Sequence, residues 1–149
     1  MTYAYKQVID APIARVWSFL DDDEKLPLWM PQSVEITYPD GINRQALVGT
    51  RFRQKLKEGG RIREYQGEVT AHEPPYLLGI RLFDDSFAVD VIYRLTSDGD
   101  KTTLDYRADV ALKSLMARIM GRLFGWLTKR LIRQLMGNLK RVAEARDVI

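Results

Sequence analysis

The chain is 149 residues long, carries a formal net charge of +3 and contains no cysteine. This length suits one domain, 1–149, with a buried core, and the lack of cysteine excludes disulfides, thiolate zinc sites and a cysteine nucleophile. No apolar run reaches the roughly 20 residues that span a bilayer, and Met1 to Asp10 lacks a signal-type apolar core, so a soluble cytoplasmic protein is expected.

Tyr3 to Ile9 reads as a strand, with Tyr3, Tyr5, Gln7 and Ile9 on one face. Asp10-Ala11-Pro12 stops it and opens a helix, because proline's φ already suits a first helical turn. Ile13, Val16, Trp17 and Leu20 then bury one side of that helix. Asp21-Asp22-Asp23 is expected to end it and to cap a second short helix over Glu24 to Trp29. Pro27 and Pro31 push the chain into an extended run, Val34 to Tyr38, and Ile42 to Val48 has no clear period. Arg51 to Lys57 alternates, with Phe52, Gln54 and Leu56 facing one way. Glu58-Gly59-Gly60 signals a hairpin, and Arg61 to His72 returns as a long strand broken at Glu73-Pro74-Pro75. Strands over Tyr76 to Phe83, Phe87 to Leu95 and Thr102 to Val110 follow, the last two joined through Asp98-Gly99.

Leu112 to Arg146 reads as one long helix. At about 100° per residue, Met116, Met120, Leu123, Phe124, Leu127, Leu131, Leu135 and Val142 share one face. Arg118, Arg122, Lys129, Arg133 and Lys140 gather nearly opposite. A twisted antiparallel sheet of this size curls and leaves a concave face for such a helix to cover. The predicted class is α+β: a curled antiparallel sheet of about six to seven strands gripping a long C-terminal helix, with two short helices after the first strand.

Most catalytic chemistry finds no support. The single histidine, His72, has no partners for a zinc site and reads as an ordinary surface or edge residue. No metal site and no cofactor are expected, for there is no phosphate-binding glycine loop and no nucleophile elbow. Glu64, Gln66 and Glu68 share a strand face expected to look outward, as do Arg81 and Asp90 on neighbouring strands. Gly121 and Gly125 suggest close packing against a neighbouring backbone.

Between Val110 and Ala143 there are eight basic residues and no acid, and Arg51 to Arg63 holds six basics against Glu58. Nucleic acid is disfavoured, because no aromatic stacking platform or helix-turn-helix accompanies these charges. A weak contact with an anionic membrane surface fits better. Arg118, Arg122, Lys129, Arg133 and Lys140 are its candidates, flanked by Trp126, Leu115 and Ile119 on one side and Ile132 and Met136 on the other. A homodimer stays open.

Four segments carry a family resemblance: Ile9-Asp10-Ala11-Pro12 with Val16-Trp17; Asp22 through Pro31; Gly67-Glu68-Val69-Thr70 before Glu73-Pro74-Pro75; and Thr102 through Tyr106 before a long helix containing Leu139-Lys140-Arg141. In this order they resemble the START-like helix-grip superfamily, also called SRPBCC, and its polyketide cyclase/dehydrase grouping most closely. The resemblance implies a cavity between sheet and helix that binds a small hydrophobic or amphipathic ligand such as a lipid or an aromatic, polyketide-like compound, with transport of that ligand as an associated role. Candidate lining residues are Tyr5, Trp29, Phe52, Leu56, Leu78, Val91, Tyr93, Tyr106, Met120, Leu123, Phe124 and Leu127. The alternative is a cyclase or dehydrase using the same cavity, which would need a desolvated, oriented ionisable group on the wall. A third is a membrane-surface or protein interaction module. No catalytic residue is assigned.

Overall fold

The computed structural model describes residues 1–123 and 125–145. The elements are β1 (Thr2–Ile9), α1 (Ile13–Asp21), α2 (Leu26–Trp29), β2 (Ser33–Thr37), β3 (Arg51–Glu58), β4 (Arg61–Glu73), β5 (Leu77–Phe83), β6 (Phe87–Asp98), β7 (Lys101–Leu112), α3 (Leu115–Leu123) and α4 (Gly125–Glu144). The seven strands form one curled antiparallel sheet in the order β1-β7-β6-β5-β4-β3-β2. Hairpins set its register. Gly59 and Gly60, at φ +56° and +81°, supply the two left-handed positions between Glu58 and Arg61. The expected helix-grip architecture is what the chain adopts.

The C-terminal helix grips through part of its length. Ile132, Met136, Leu139 and Ala143, spaced four, three and four apart, are buried on α4, which packs on β1, α1 and α2. Polar bonds hold the same region. Gln7 Nε2 donates to the Met136 carbonyl at 2.9 Å, Asn138 Nδ2 donates to the Trp29 carbonyl at 3.2 Å, and Lys140 Nζ donates to the Val8 carbonyl at 2.6 Å. Arg15 Nε donates to the Ala143 carbonyl at 2.7 Å, placing a cation where the helix dipole favours one. Trp29, fully enclosed, donates from Nε1 to the Phe19 carbonyl at 2.9 Å and meets Tyr93 edge-on.

Three expectations need correction. Leu112 ends β7, so the helical residues begin at Leu115 rather than at Leu112; they are described as two stretches, α3 and α4, on either side of Phe124, which like Arg146 lies outside the described residues. The buried stripe of α4 is turned by about one residue step, roughly 100°, from the expected one. The side carrying Leu127 and Leu131 meets a cavity, and these two leucines stay partly open to solvent. The aspartate trio does not cap α2, which begins at Leu26 and has no side-chain cap. Instead Asp22 accepts from the Glu24 N–H, Asp21 pairs with His72, and Asp23 accepts from the Tyr38 hydroxyl.

Gly67 on β4 faces Phe52 on β3. A Cβ there would lie 2.3 Å from the Phe52 ring, so this position is closed to any side chain while the ring stays put. Gly67→Ala should therefore destabilise the fold by about 1–3 kcal/mol through overpacking. A lower midpoint in chemical denaturation measures this, and adding Phe52→Leu should recover part of it.

Candidate ligand-binding cavity

Two hydrophobic clusters flank an unfilled space. The larger joins α1, α2, α4 and the β1–β7–β6 side of the sheet; the smaller comprises Leu47, Phe52 and Val69 with Ile36, Tyr38 and Leu82. Ile80 touches both. Between them lies a cavity of about 910 Å³. Its sheet wall is built by period-two alternation: Phe52, Gln54 and Leu56 from β3, Leu78, Ile80 and Leu82 from β5, Phe87, Val89, Val91 and Tyr93 from β6, and Tyr106 from β7. Trp29 and Met30 close one side, and Leu127, Thr128, Leu131 and Leu135 of α4 close another.

Of the candidate lining residues, Trp29, Phe52, Leu56, Leu78, Val91, Tyr93, Tyr106 and Leu127 stand on this wall. Tyr5 does not. It sits on the edge strand β1, opposite Tyr106, and packs half-buried against the core. Met120 and Leu123 also do not. They point into solvent from α3, whose sheet-facing side is occupied by Gly121. Phe124 lies outside the described residues. Ile80, Leu82 and Val89 were missed, although strand alternation places them on the same faces as Leu78 and Val91. Gln32, Leu131 and Leu135 were missed as well.

The polar groups of the wall are few. Tyr93 and Tyr106 meet edge-to-face with ring centroids 5.3 Å apart. Burial raises the pKa of both phenols, that of Tyr106 to about 12, so each is a neutral hydrogen-bond donor at physiological pH. Gln54 Nε2, also buried, donates to Ser33 Oγ at 3.2 Å. Gln32 Oε1 is a buried acceptor with no partner among the described residues, and Gln32 lines the cavity. Tyr38 is raised too, first by burial and then by its bond to Asp23. Arg44, Lys57 and Glu58 are exposed and stand where the wall meets solvent.

The carboxylates singled out from sequence lie elsewhere. Glu64 pairs with Arg53 at 3.9 Å and Asp90 with Arg81 at 3.8 Å, all about half exposed. Along β4, Glu64, Gln66 and Glu68 alternate with Tyr65, Gly67 and Val69, which face inward. His72 is not a plain surface residue: its ring, 11% exposed, bonds Asp21 at 3.0 Å and leans on Trp17. Among the candidates for an anionic surface, Arg118, Arg122, Lys129 and Arg133 are exposed. Lys140 is instead held by the Val8 carbonyl and by Glu144 at 3.1 Å.

A family model described as "Polyketide cyclase / dehydrase and lipid transport" matches residues 2–144. Among solved structures, the Zhui aromatase/cyclase from Streptomyces sp. R1128 superposes with a TM-score of 0.76 at 15% identity, covering 97% of this chain and 93% of that one. A START superfamily protein from Mycobacterium smegmatis gives 0.71 at 18% identity, with 95% and 98% covered. Ara h 8.0201 gives 0.71 at 14% identity, with 96% and 97% covered. At these identities the likeness is one of fold. Among curated proteins none matches this chain significantly.

The buried phenols make stability depend on alkaline pH. Tyr106 titrates near 10.0 when unperturbed and at about 12 in the folded chain. Between those values the native state holds more protons than the unfolded one. Its contribution is thus fully present below the lower value and is lost as pH rises through the upper one. Tyr106→Phe should flatten that decline, read from denaturation midpoints across the window; the other raised tyrosines account for the slope that remains.

Proposed function

This chain belongs to the polyketide cyclase/dehydrase and lipid transport family, and on that premise we propose that it binds a small hydrophobic or amphipathic ligand in the cavity between sheet and α4. The observation that carries this reading is the cavity itself: about 910 Å³, walled mainly by Leu, Ile, Val and aromatic side chains. Small-molecule sites of roughly 300–1,000 Å³ with a few oriented polar groups are the usual pattern. The polar groups define the ligand class. Tyr93 and Tyr106 offer hydrogen bonds to a carbonyl or hydroxyl oxygen. A lipid-like or aromatic, polyketide-like compound bearing an oxygen at one end satisfies both.

A cyclase working in this cavity would need a general base on its wall. The lining carboxylates are already engaged, Asp21 with His72, Asp23 with Tyr38 and Glu58 with Tyr65 and Arg63, and the raised phenols stay protonated. These features favour carriage over acid–base turnover. Transfer of the ligand between sites is the corresponding biological role.

Native mass spectrometry of the protein purified from its own host is the direct test. The expected result is a non-covalent hydrophobic compound in the folded protein, less abundant in a Val89→Trp variant whose indole occupies part of the space. No co-purified compound, together with no binding of a hydrophobic fluorescent probe, would overturn the reading. Tyr93→Phe should weaken ligand binding by about three- to tenfold, the value of one neutral hydrogen bond, while the denaturation midpoint holds or rises.

A further inference from the structure

α3 has an inverted pattern. Its small residues face the protein and its large apolar ones face away. A Cβ on Gly121 would lie 2.6 Å from Leu112 Cδ1, and one on Gly125 3.6 Å from the Tyr3 hydroxyl, so the glycine side of this segment is the one against the sheet. No α3 residue is buried. Leu115, Met116, Ile119, Met120 and Leu123, with Trp126 at the start of α4, are between 47% and 75% exposed. Isolated exposed apolar residues are ordinary, but a contiguous group of this size marks an interaction surface.

Charge indicates what covers it. Arg118, Arg122 and Lys129 flank the apolar group and Arg130 and Arg133 follow it along the helix, and the sequence from Val110 to Ala143 holds no acid. Among the described residues none of these five has an ion-pair partner, whereas in the basic β3–β4 hairpin Arg53 and Arg63 pair with Glu64 and Glu58. Two copies meeting through this face would set like charges against each other. An apolar surface rimmed by unneutralised cations matches a bilayer with anionic headgroups. No helix among the described residues is long and apolar enough to cross a membrane, so the surface can only lie along one.

We infer that α3 and the first two turns of α4 dock on an anionic lipid bilayer. The surface is continuous with the cavity: Leu127 and Leu131 line it and are also 39% and 44% exposed. Docking there sets the α4 wall of the cavity against lipid, which gives a hydrophobic ligand a route that avoids water. The route rests on the ligand-binding reading; the docking does not.

The test uses the full chain with two kinds of vesicle, phosphatidylcholine alone and an equal mixture with phosphatidylglycerol. Trp17 and Trp29 are buried, so a blue shift of tryptophan emission on binding reports Trp126. Binding and a blue shift with the mixed vesicles, weakened by salt, are expected. Arg122→Gln with Arg130→Gln should lower the partition coefficient by about 25-fold, about fivefold for each charge. Met116→Ser with Leu123→Ser should abolish the blue shift. Native mass spectrometry and near-ultraviolet circular dichroism on the same variants report the cavity and the fold separately. No vesicle binding, or equal binding to neutral and mixed vesicles, overturns docking while leaving ligand occupancy to be read by itself. A self-association that Met116→Ser and Leu123→Ser remove, with no vesicle binding, assigns the surface to a second copy and overturns it as well.

Discussion

The rest of the structure depends on how α4 is held at its C-terminal half. Ile132, Met136, Leu139 and Ala143 fill the space between β1, α1 and α2, and Gln7, Asn138 and Arg15 fix the backbone around them. A seven-stranded curled sheet encloses more volume than one helix of about 10 Å diameter can fill. Packing is satisfied at one end, and the deficit collects at the other. The cavity is that deficit, placed between the main core and the Leu47–Phe52–Val69 cluster.

This origin explains the chemistry of the wall. The inward residues of β3, β5 and β6 belong to the same alternating rows that form the core, so most are aliphatic or aromatic. Where the rows pass into open space, Tyr93, Tyr106 and Gln54 take positions that a packed core would give to hydrocarbon. Low polarity around the phenols disfavours the phenolate and keeps them as donors. Glu64 and Asp90 sit on the opposite face beside arginines, out of reach of anything in the cavity, while Glu58 stands at its rim.

α3 extends the same economy outward. Gly121 lets the helix settle against Leu112 and Met1, and this close approach turns its bulky residues toward solvent. The apolar residues that could have closed the cavity as a lid are thereby on the molecular surface. Leu127 and Leu131 form the seam between the two regions, each touching the cavity and the outside.

The order of elements, the hairpins and the inward rows are legible in the sequence, because period-two alternation and glycine-bearing turns are local properties. Phe52, Leu78, Val91 and Tyr93 were legible as inward for that reason, and Asp98-Gly99 and Gly59-Gly60 as turns. Which inward residues meet other side chains and which meet empty space depends on long-range packing. On α4 the stripe of Leu127, Leu131 and Leu135 is apolar, but apolarity alone does not distinguish a face against a wall from a face against a cavity. That distinction depends on the distance to strands far away in the chain. Met120 and Leu123 belong to the same apolar stripe as Leu127, yet they lie outside, because the packing of Gly121 on Leu112 sets which way α3 faces. The fates of Asp21 and Asp23 were settled the same way, by the arrival of His72 and Tyr38 from distant strands and loops, which no local pattern encodes, whereas Asp22 bonds locally to the Glu24 N–H.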